Sequence, residues 1–127
     1  MIQSGSFLSV IDNSGAKSVI CIKVLSGYKR RYAFVGDLIM VSIKNLRSQR
    51  RASSKAKKGE IYKALVVRIK TKVKIFNSDT YSFFENSVVL LSKQNKCVGT
   101  RVFGILPKSF RFSKFLKIVS ISSGVLK

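Results

Sequence analysis

The sequence predicts a mainly β fold, a small closed barrel finished by short helices. Three observations carry this. Apolar residues fall in short runs of strand length, turn chemistry separates those runs at fairly even intervals, and helical spacing appears only beyond Gly99. The chain has 127 residues and is 46% apolar, which fits one domain with a real core. A single domain over 1–127 is therefore expected, with the barrel over about 1–105 and a helical part over about 106–127.

The first strand is expected at residues 7–11. Asp12-Asn13-Ser14-Gly15 follows as a turn in which Gly15 can take positive φ. Residues 19–25 are rich in β-branched side chains and form the second strand. Strict alternation there puts Ile20, Ile22 and Val24 on one face and Val19, Cys21 and Lys23 on the other. Ser26-Gly27 ends it, Lys29-Arg30-Arg31 follows, and Val35-Gly36-Asp37 makes a second tight turn. In the strand 38–44, Ile39, Val41 and Ile43 face one way, Met40 and Ser42 the other. Residues 61–69 make a long strand; after a turn at Asn77-Ser78-Asp79, residues 81–84 and 88–92 complete the series. Pro107 opens a helical turn, and Ser113 is the expected N-cap of a helix over 114–120, with Phe115, Ile118 and Val119 at helical spacing. No internal repeat is evident.

Against the core stand 25 Lys and Arg and only 5 Asp and Glu, a net charge of +20. Self-repulsion on this scale opposes compaction, so the charge implies a polyanionic partner: RNA, DNA or an anionic membrane. Membrane insertion is not expected, because the longest apolar runs, 64–67 and 88–91, fall far short of the ~20 residues that span a bilayer. Residues 1–6 carry no basic side chain and lead into a strand, so no signal or transit peptide is expected and the protein should act where it is made.

Catalysis is not expected. The chain has no His, and Asp12, Asp37, Glu60, Asp79 and Glu85 are single and scattered. Asp12, Asp37 and Asp79 lie in turns, where a carboxylate ordinarily bonds the backbone. No HExxH, GxSxG or Walker A pattern occurs. Cys21 and Cys97 lie far apart with no ligand spacing, so no metal or other cofactor is expected, and Cys21 reads as a small core hydrophobe.

The cations are grouped. Residues 45–58 hold Arg47, Arg50, Arg51, Lys55, Lys57 and Lys58 without an acid, which reads as a projecting loop or ribbon between two strands. Arg68, Lys70, Lys72 and Lys74 alternate with Ile69, Thr71, Val73 and Ile75, a period of two that predicts four cations along one face of a single strand. Lys29, Arg30 and Arg31 adjoin Tyr32 and Phe34. For Tyr32 two readings stand: stacking on a base, and core packing, which the usual burial of aromatic rings favours. The same holds for Phe110, Phe112 and Phe115, interleaved with Arg111 and Lys114. Expected phosphate contacts are Lys17, Lys29, Arg30, Arg31, Lys44, Arg47, Arg50, Arg51, Lys55, Lys57, Lys58, Arg68, Lys70, Lys72 and Lys74. With no recognition helix, zipper or zinc finger, dispersed cations on a β scaffold favour folded RNA over DNA.

Several stretches then occur in a telling order: Asp12-Asn13-Ser14-Gly15-Ala16, Cys21-Ile22-Lys23-Val24-Leu25, Arg30-Arg31-Tyr32-Ala33, Val35-Gly36-Asp37, Lys57-Lys58-Gly59, Gly99-Thr100-Arg101-Val102-Phe103-Gly104 and Lys114-Phe115-Leu116-Lys117-Ile118. Together they resemble the universal large-subunit ribosomal protein fourteen family in its bacterial or organellar form, from residue 1 essentially to Leu126. Two departures stand out. Ser78 replaces the Gly usual after the turn residue Asn77, and the 45–58 segment is longer than in typical bacterial relatives and lacks their Pro and Gly.

The resemblance implies a five-stranded barrel with a projecting β-ribbon and a small helical C-terminal part. It implies binding of large-subunit rRNA, bridges to small-subunit rRNA, and proteins three and nineteen of the large subunit as neighbours. In many relatives a ribosome-silencing factor docks near the residues matching Thr100, Arg101 and Lys117, which makes those three the expected protein-partner positions. The abundance of Lys, Ile, Phe and Ser suggests AT-rich coding DNA, which favours a mitochondrial ribosome over a bacterial cytoplasm or a plastid. The rival reading is a free-standing OB-like nucleic-acid chaperone, which would need exposed aromatics on a strand face. A small enzyme comes third and would need a clustered carboxylate pair.

Overall fold

The computed structural model describes residues 1–48, 54–74 and 79–126. Five strands close a barrel: β1 (Phe7–Val10), β2 (Ala16–Val24), β3 (Leu38–Leu46), β4 (Ile61–Arg68) and β7 (Ser87–Leu91), with a parallel β1–β7 pair sealing the ring. Outside it, β5 (Val73–Lys74) and β6 (Thr80–Tyr81) form a two-stranded antiparallel ribbon. The chain ends in β8 (Val102–Leu106), a 3-10 helix (Lys108–Phe112), α1 (Leu116–Ser120) and β9 (Ser122–Val125), which pairs in parallel with β8. The mainly β expectation and the closed five-stranded barrel hold.

The two apolar runs noted in the sequence explain how the core is arranged. Ala64, Leu65, Val66 and Val67 are all fully buried, as are Val88, Val89, Leu90 and Leu91. Alternation sorts each run between two clusters. Ala64, Val66, Val88 and Leu90 point into the barrel with Val19, Ile39, Val41 and Ile43. Leu65, Val67, Val89 and Leu91 face the opposite way, onto Leu106, Phe110 and Ile118 of the C-terminal part. A strand buried on both faces reads as a continuous apolar run, and this is the case here. The C-terminal elements are thus a second layer over the outer face of β4 and β7.

The expected faces of β3 are observed: Ile39, Val41 and Ile43 are fully buried. Those of β2 are not. Val19 and Cys21 point inward, Ile22 is 39% exposed, and Val24 returns to the interior. The pairing register slips between Cys21 and Lys23, and each slip by one residue exchanges the two faces. Strict alternation fails because β2 carries bulges. The strand also begins at Ala16, three residues before the expected position 19.

The expected single strand bearing Arg68, Lys70, Lys72 and Lys74 is also corrected. Strand β4 stops at Arg68, and pairing resumes only at Val73. Between them Ile69 turns inward and is buried in the barrel cluster, and the Lys70 N–H donates to Asn86 Oδ1 at 2.9 Å. The register with β7 shifts between Val66 and Arg68 and the ladder ends there, an irregularity that the alternating pattern does not mark. The expected turn at Asn77-Ser78 falls outside the described residues. Downstream, Pro107 precedes the 3-10 helix as expected. Ser113 does not cap α1, whose N-cap is Phe115; its Oγ instead accepts the Phe115 N–H at 3.2 Å. Strands β8 and β9 have no clear signal in the sequence, because Gly104 interrupts one and Ser122-Ser123-Gly124 weakens the other.

Candidate nucleic-acid interface

Turn chemistry after β1 builds a clamp. Asp12 is fully buried. Its Oδ1 accepts the Ser14 N–H at 3.0 Å and the Ser14 hydroxyl, and its Oδ2 accepts the Leu90 N–H at 3.0 Å. Desolvation raises the carboxyl above its ordinary pKa, while these hydrogen bonds and the charge of Arg47 pull the other way. Next to it, Asn13 Oδ1 accepts the N–H groups of Thr100 at 2.7 Å and Arg101 at 3.2 Å, and its amide donates to Thr100 Oγ1 at 2.8 Å. Gly99 packs so closely that a Cβ there would sit 2.8 Å from Asn13 Oδ1. The turn therefore fixes the loop before β8 to the barrel.

Three of the expected phosphate-binding arginines are engaged in the fold. Arg68 donates from Nε to Ile105 O at 2.9 Å and from Nη2 to Phe103 O at 2.6 Å, and its guanidinium lies 5.6 Å from the Phe83 ring. Burial lowers its pKa. Gly104, at φ +82°, lets Arg68 reach both carbonyls, because a Cβ there would run into the guanidinium. Arg47 donates to Val10 O at 3.1 Å and lies 5.7 Å from the Phe103 ring. Arg30 pairs with Asp37 at 2.8 Å.

Arg47 and Arg68 also line an open groove of about 690 Å³ with Lys17, Ser9, Glu85 and Phe103, between the barrel and β8. The groove is electropositive, with one carboxylate against three cations.

The remaining expected cations lie outward. Lys17, Lys29, Arg31 and Lys44 are exposed, as are Lys55, Lys57, Lys58, Lys70, Lys72 and Lys74. Arg50 and Arg51 fall outside the described residues. The return arm of the 45–58 segment lies on the barrel: Ala56 is fully buried and the Lys55 N–H donates to Ser14 O at 3.0 Å. That arm does not project, because Ala56 is anchored in the core. Thr100 and Arg101 are exposed at the clamped loop, and Lys117 is exposed on α1, near enough for its charge to reach the Cys97 thiol.

The aromatic rings depart most from expectation, which favours core packing for Tyr32 and for Phe110, Phe112 and Phe115. Phe110 is buried and Phe115 packs on the second cluster, but Tyr32 is exposed and Phe112 is 85% exposed. A five-stranded barrel has a narrow interior, filled here by Ala, Val, Ile and Leu, and rings do not fit it. Strands do carry exposed rings, Phe7 on β1 and Phe103 on β8, but they stand singly on different strands. Among the described residues no three acids or cysteines converge on a common metal position. Cys21 and Cys97 are free thiols, both raised in pKa by burial.

The amino-acid sequence matches a known family over nearly the whole chain. The model of the family described as Ribosomal protein L14p/L23e covers residues 1–126. This chain belongs to that family, and is thus a structural protein of the large ribosomal subunit that binds rRNA.

Proposed function

We propose that the protein works as one domain that is held on large-subunit rRNA by its outward lysines, and that the clamped Thr100–Arg101 loop with Lys117 forms its protein-docking rim. In this reading the rRNA-bound chain contributes to bridges with small-subunit rRNA, lies beside proteins three and nineteen, and offers the rim to a ribosome-silencing factor. The observation that carries the proposal is the clamp. Asn13 holds the backbone N–H groups of both Thr100 and Arg101, so two exposed polar side chains stand on a fixed backbone. A preorganised surface of this kind loses little entropy on binding. The abundance of Lys, Ile, Phe and Ser, as AT-rich coding DNA would give, supports a mitochondrial ribosome as its location.

Co-sedimentation tests the core of this. Tagged protein should pellet with large subunits at moderate salt and co-purify with mitochondrial ribosomes. Protein that remains in the supernatant overturns the rRNA-anchoring role of the lysines. Combining Arg101→Glu with Lys117→Glu should leave that pelleting intact while abolishing the block on subunit joining by the silencing factor. An unchanged block removes the docking rim.

A further inference from the structure

Between β2 and β3 the chain sends Tyr28 into solvent, 90% exposed, while neighbouring groups are tied down. Arg30 folds back on the loop. Besides its ion pair with Asp37, it donates to Tyr32 O at 3.1 Å and Ser26 O at 3.4 Å, and its guanidinium lies 5.6 Å from the Phe34 ring. Asp37 Oδ2 in turn accepts the Phe34 N–H at 2.8 Å, and Ser26 Oγ accepts the Leu38 N–H at 3.1 Å. The loop is thus braced from inside. Lys29 takes a left-handed backbone, φ 50°, which a non-glycine residue adopts at a cost. Its Nζ lies over the Tyr28 ring, 5.4 Å from the centroid. One face of the ring carries a cation, and Lys29 and Arg31 are both exposed.

An apolar ring held out on a braced loop suits a ligand with a flat π-face, and the flanking cations suit one with phosphates. An unpaired nucleotide has both. We infer that Tyr28 is a stacking platform for an unpaired RNA base, with Lys29 and Arg31 on the adjoining phosphates. The inference rests on the rRNA-binding reading and adds a base contact to its phosphate contacts. Phe84 and Phe112 are comparably exposed, but among the described residues no cation lies over either ring.

The chain contains no Trp, so Tyr28→Trp introduces a single reporter at the site. Its emission should be quenched by a short single-stranded oligoadenylate and left unchanged by polyphosphate, which carries charge without bases. Tyr28→Ala should bind the oligoadenylate about tenfold more weakly with the same salt dependence, and Tyr28→Phe should bind as wild type. Lys29→Ala and Arg31→Ala should each flatten the salt dependence by about 0.7 in log–log slope. All variants should unfold with the wild-type midpoint. Undiminished binding by Tyr28→Ala, equal quenching by polyphosphate, or no oligoadenylate binding by wild type that still pellets with large subunits overturns the platform. Wild type that neither pellets nor binds overturns the rRNA-anchoring proposal itself.

Discussion

The seam between barrel and C-terminal layer and the basic periphery use charge in opposite ways. At the seam, Asp12, Arg47 and Arg68 are buried or half-buried, and each is satisfied by hydrogen bonds to backbone groups. At the periphery, Lys57, Lys58, Lys70, Lys72 and Lys74 are exposed, and the only ion pair among the described residues joins Arg30 to Asp37. The seam charges act on fixed dipoles in a poorly screened setting: Arg68 ties β8 to the barrel, while Asp12 and Arg47 tie segments of the barrel to one another. The peripheral charges are screened by salt unless a polyanion displaces their counterions. Net charge therefore overstates the RNA-binding capacity: part of it is structural, and that part is mainly arginine. The guanidinium fork can bond two carbonyls at once, which an ammonium cannot do in the same geometry.

Substitutions at the seam should cost the most. Asp12→Ala leaves the Leu90 and Ser14 N–H groups buried without acceptors, and should lower unfolding free energy by about 3 kcal/mol or more in urea titrations. A loss below about 1 kcal/mol would show that the clamp is dispensable.

Arg68→Met keeps most of the stem's packing but removes the bonds to Phe103 O and Ile105 O, with an expected loss of about 2 kcal/mol. Gly104→Ala should do much the same indirectly, since its Cβ displaces the Arg68 guanidinium and its positive φ disfavours a side chain. If Arg68→Met and Gly104→Ala add fully when combined, they do not act through one contact.

The seam also has a pH signature. Burial raises the Asp12 carboxyl in the folded state, so the native protein binds this proton more tightly than the unfolded chain does. The resulting stability is fully present below the unfolded pKa of 3.8 and is lost as pH rises through the raised folded value. Glu60 has the opposite sign, because the Tyr62 hydroxyl bonds its carboxylate at 2.6 Å and lowers its pKa. The difference in stability between wild type and Asp12→Ala should therefore shrink as pH rises from the acid side, and a pH-independent difference would break the assignment.

At the periphery the smallest stability effect is expected. Lys57→Ala combined with Lys58→Ala should change stability by less than about 0.5 kcal/mol. The same pair should flatten the salt dependence of rRNA binding by about 0.7 in log–log slope for each phosphate that is no longer neutralised. A stability loss equal to that of Arg68→Met would erase the distinction between the two regions.

Much of this is legible along the chain. The turn at Asp12–Gly15, the core face of β3 and the apolar runs at β4 and β7 are local patterns, and local patterns survive folding when nothing competes with them. The β2 faces depart from their pattern because a bulge leaves no mark in an alternating sequence. The Arg68–Lys74 stripe breaks up for the same reason: the register with β7 shifts between Val66 and Arg68 and the ladder ends there. The aromatics differ for a related reason. Burial of a ring depends on the width of the cavity available, and width is set by the number of strands, not by neighbours in sequence.

The class of partner and the family can be read from the amino-acid order alone. A net charge of +20 demands a polyanion, and ordered motifs over 1–126 specify the fold that carries it. Which charges are left for that partner depends on how the chain packs. Arg68 and Lys70 look alike in sequence, two residues apart in one alternating run. One is taken up by the carbonyls of Phe103 and Ile105, some 35 residues on, and the other faces water. Whether a cation is free depends on long-range backbone acceptors that come within reach only when the layers pack, and no local pattern encodes them.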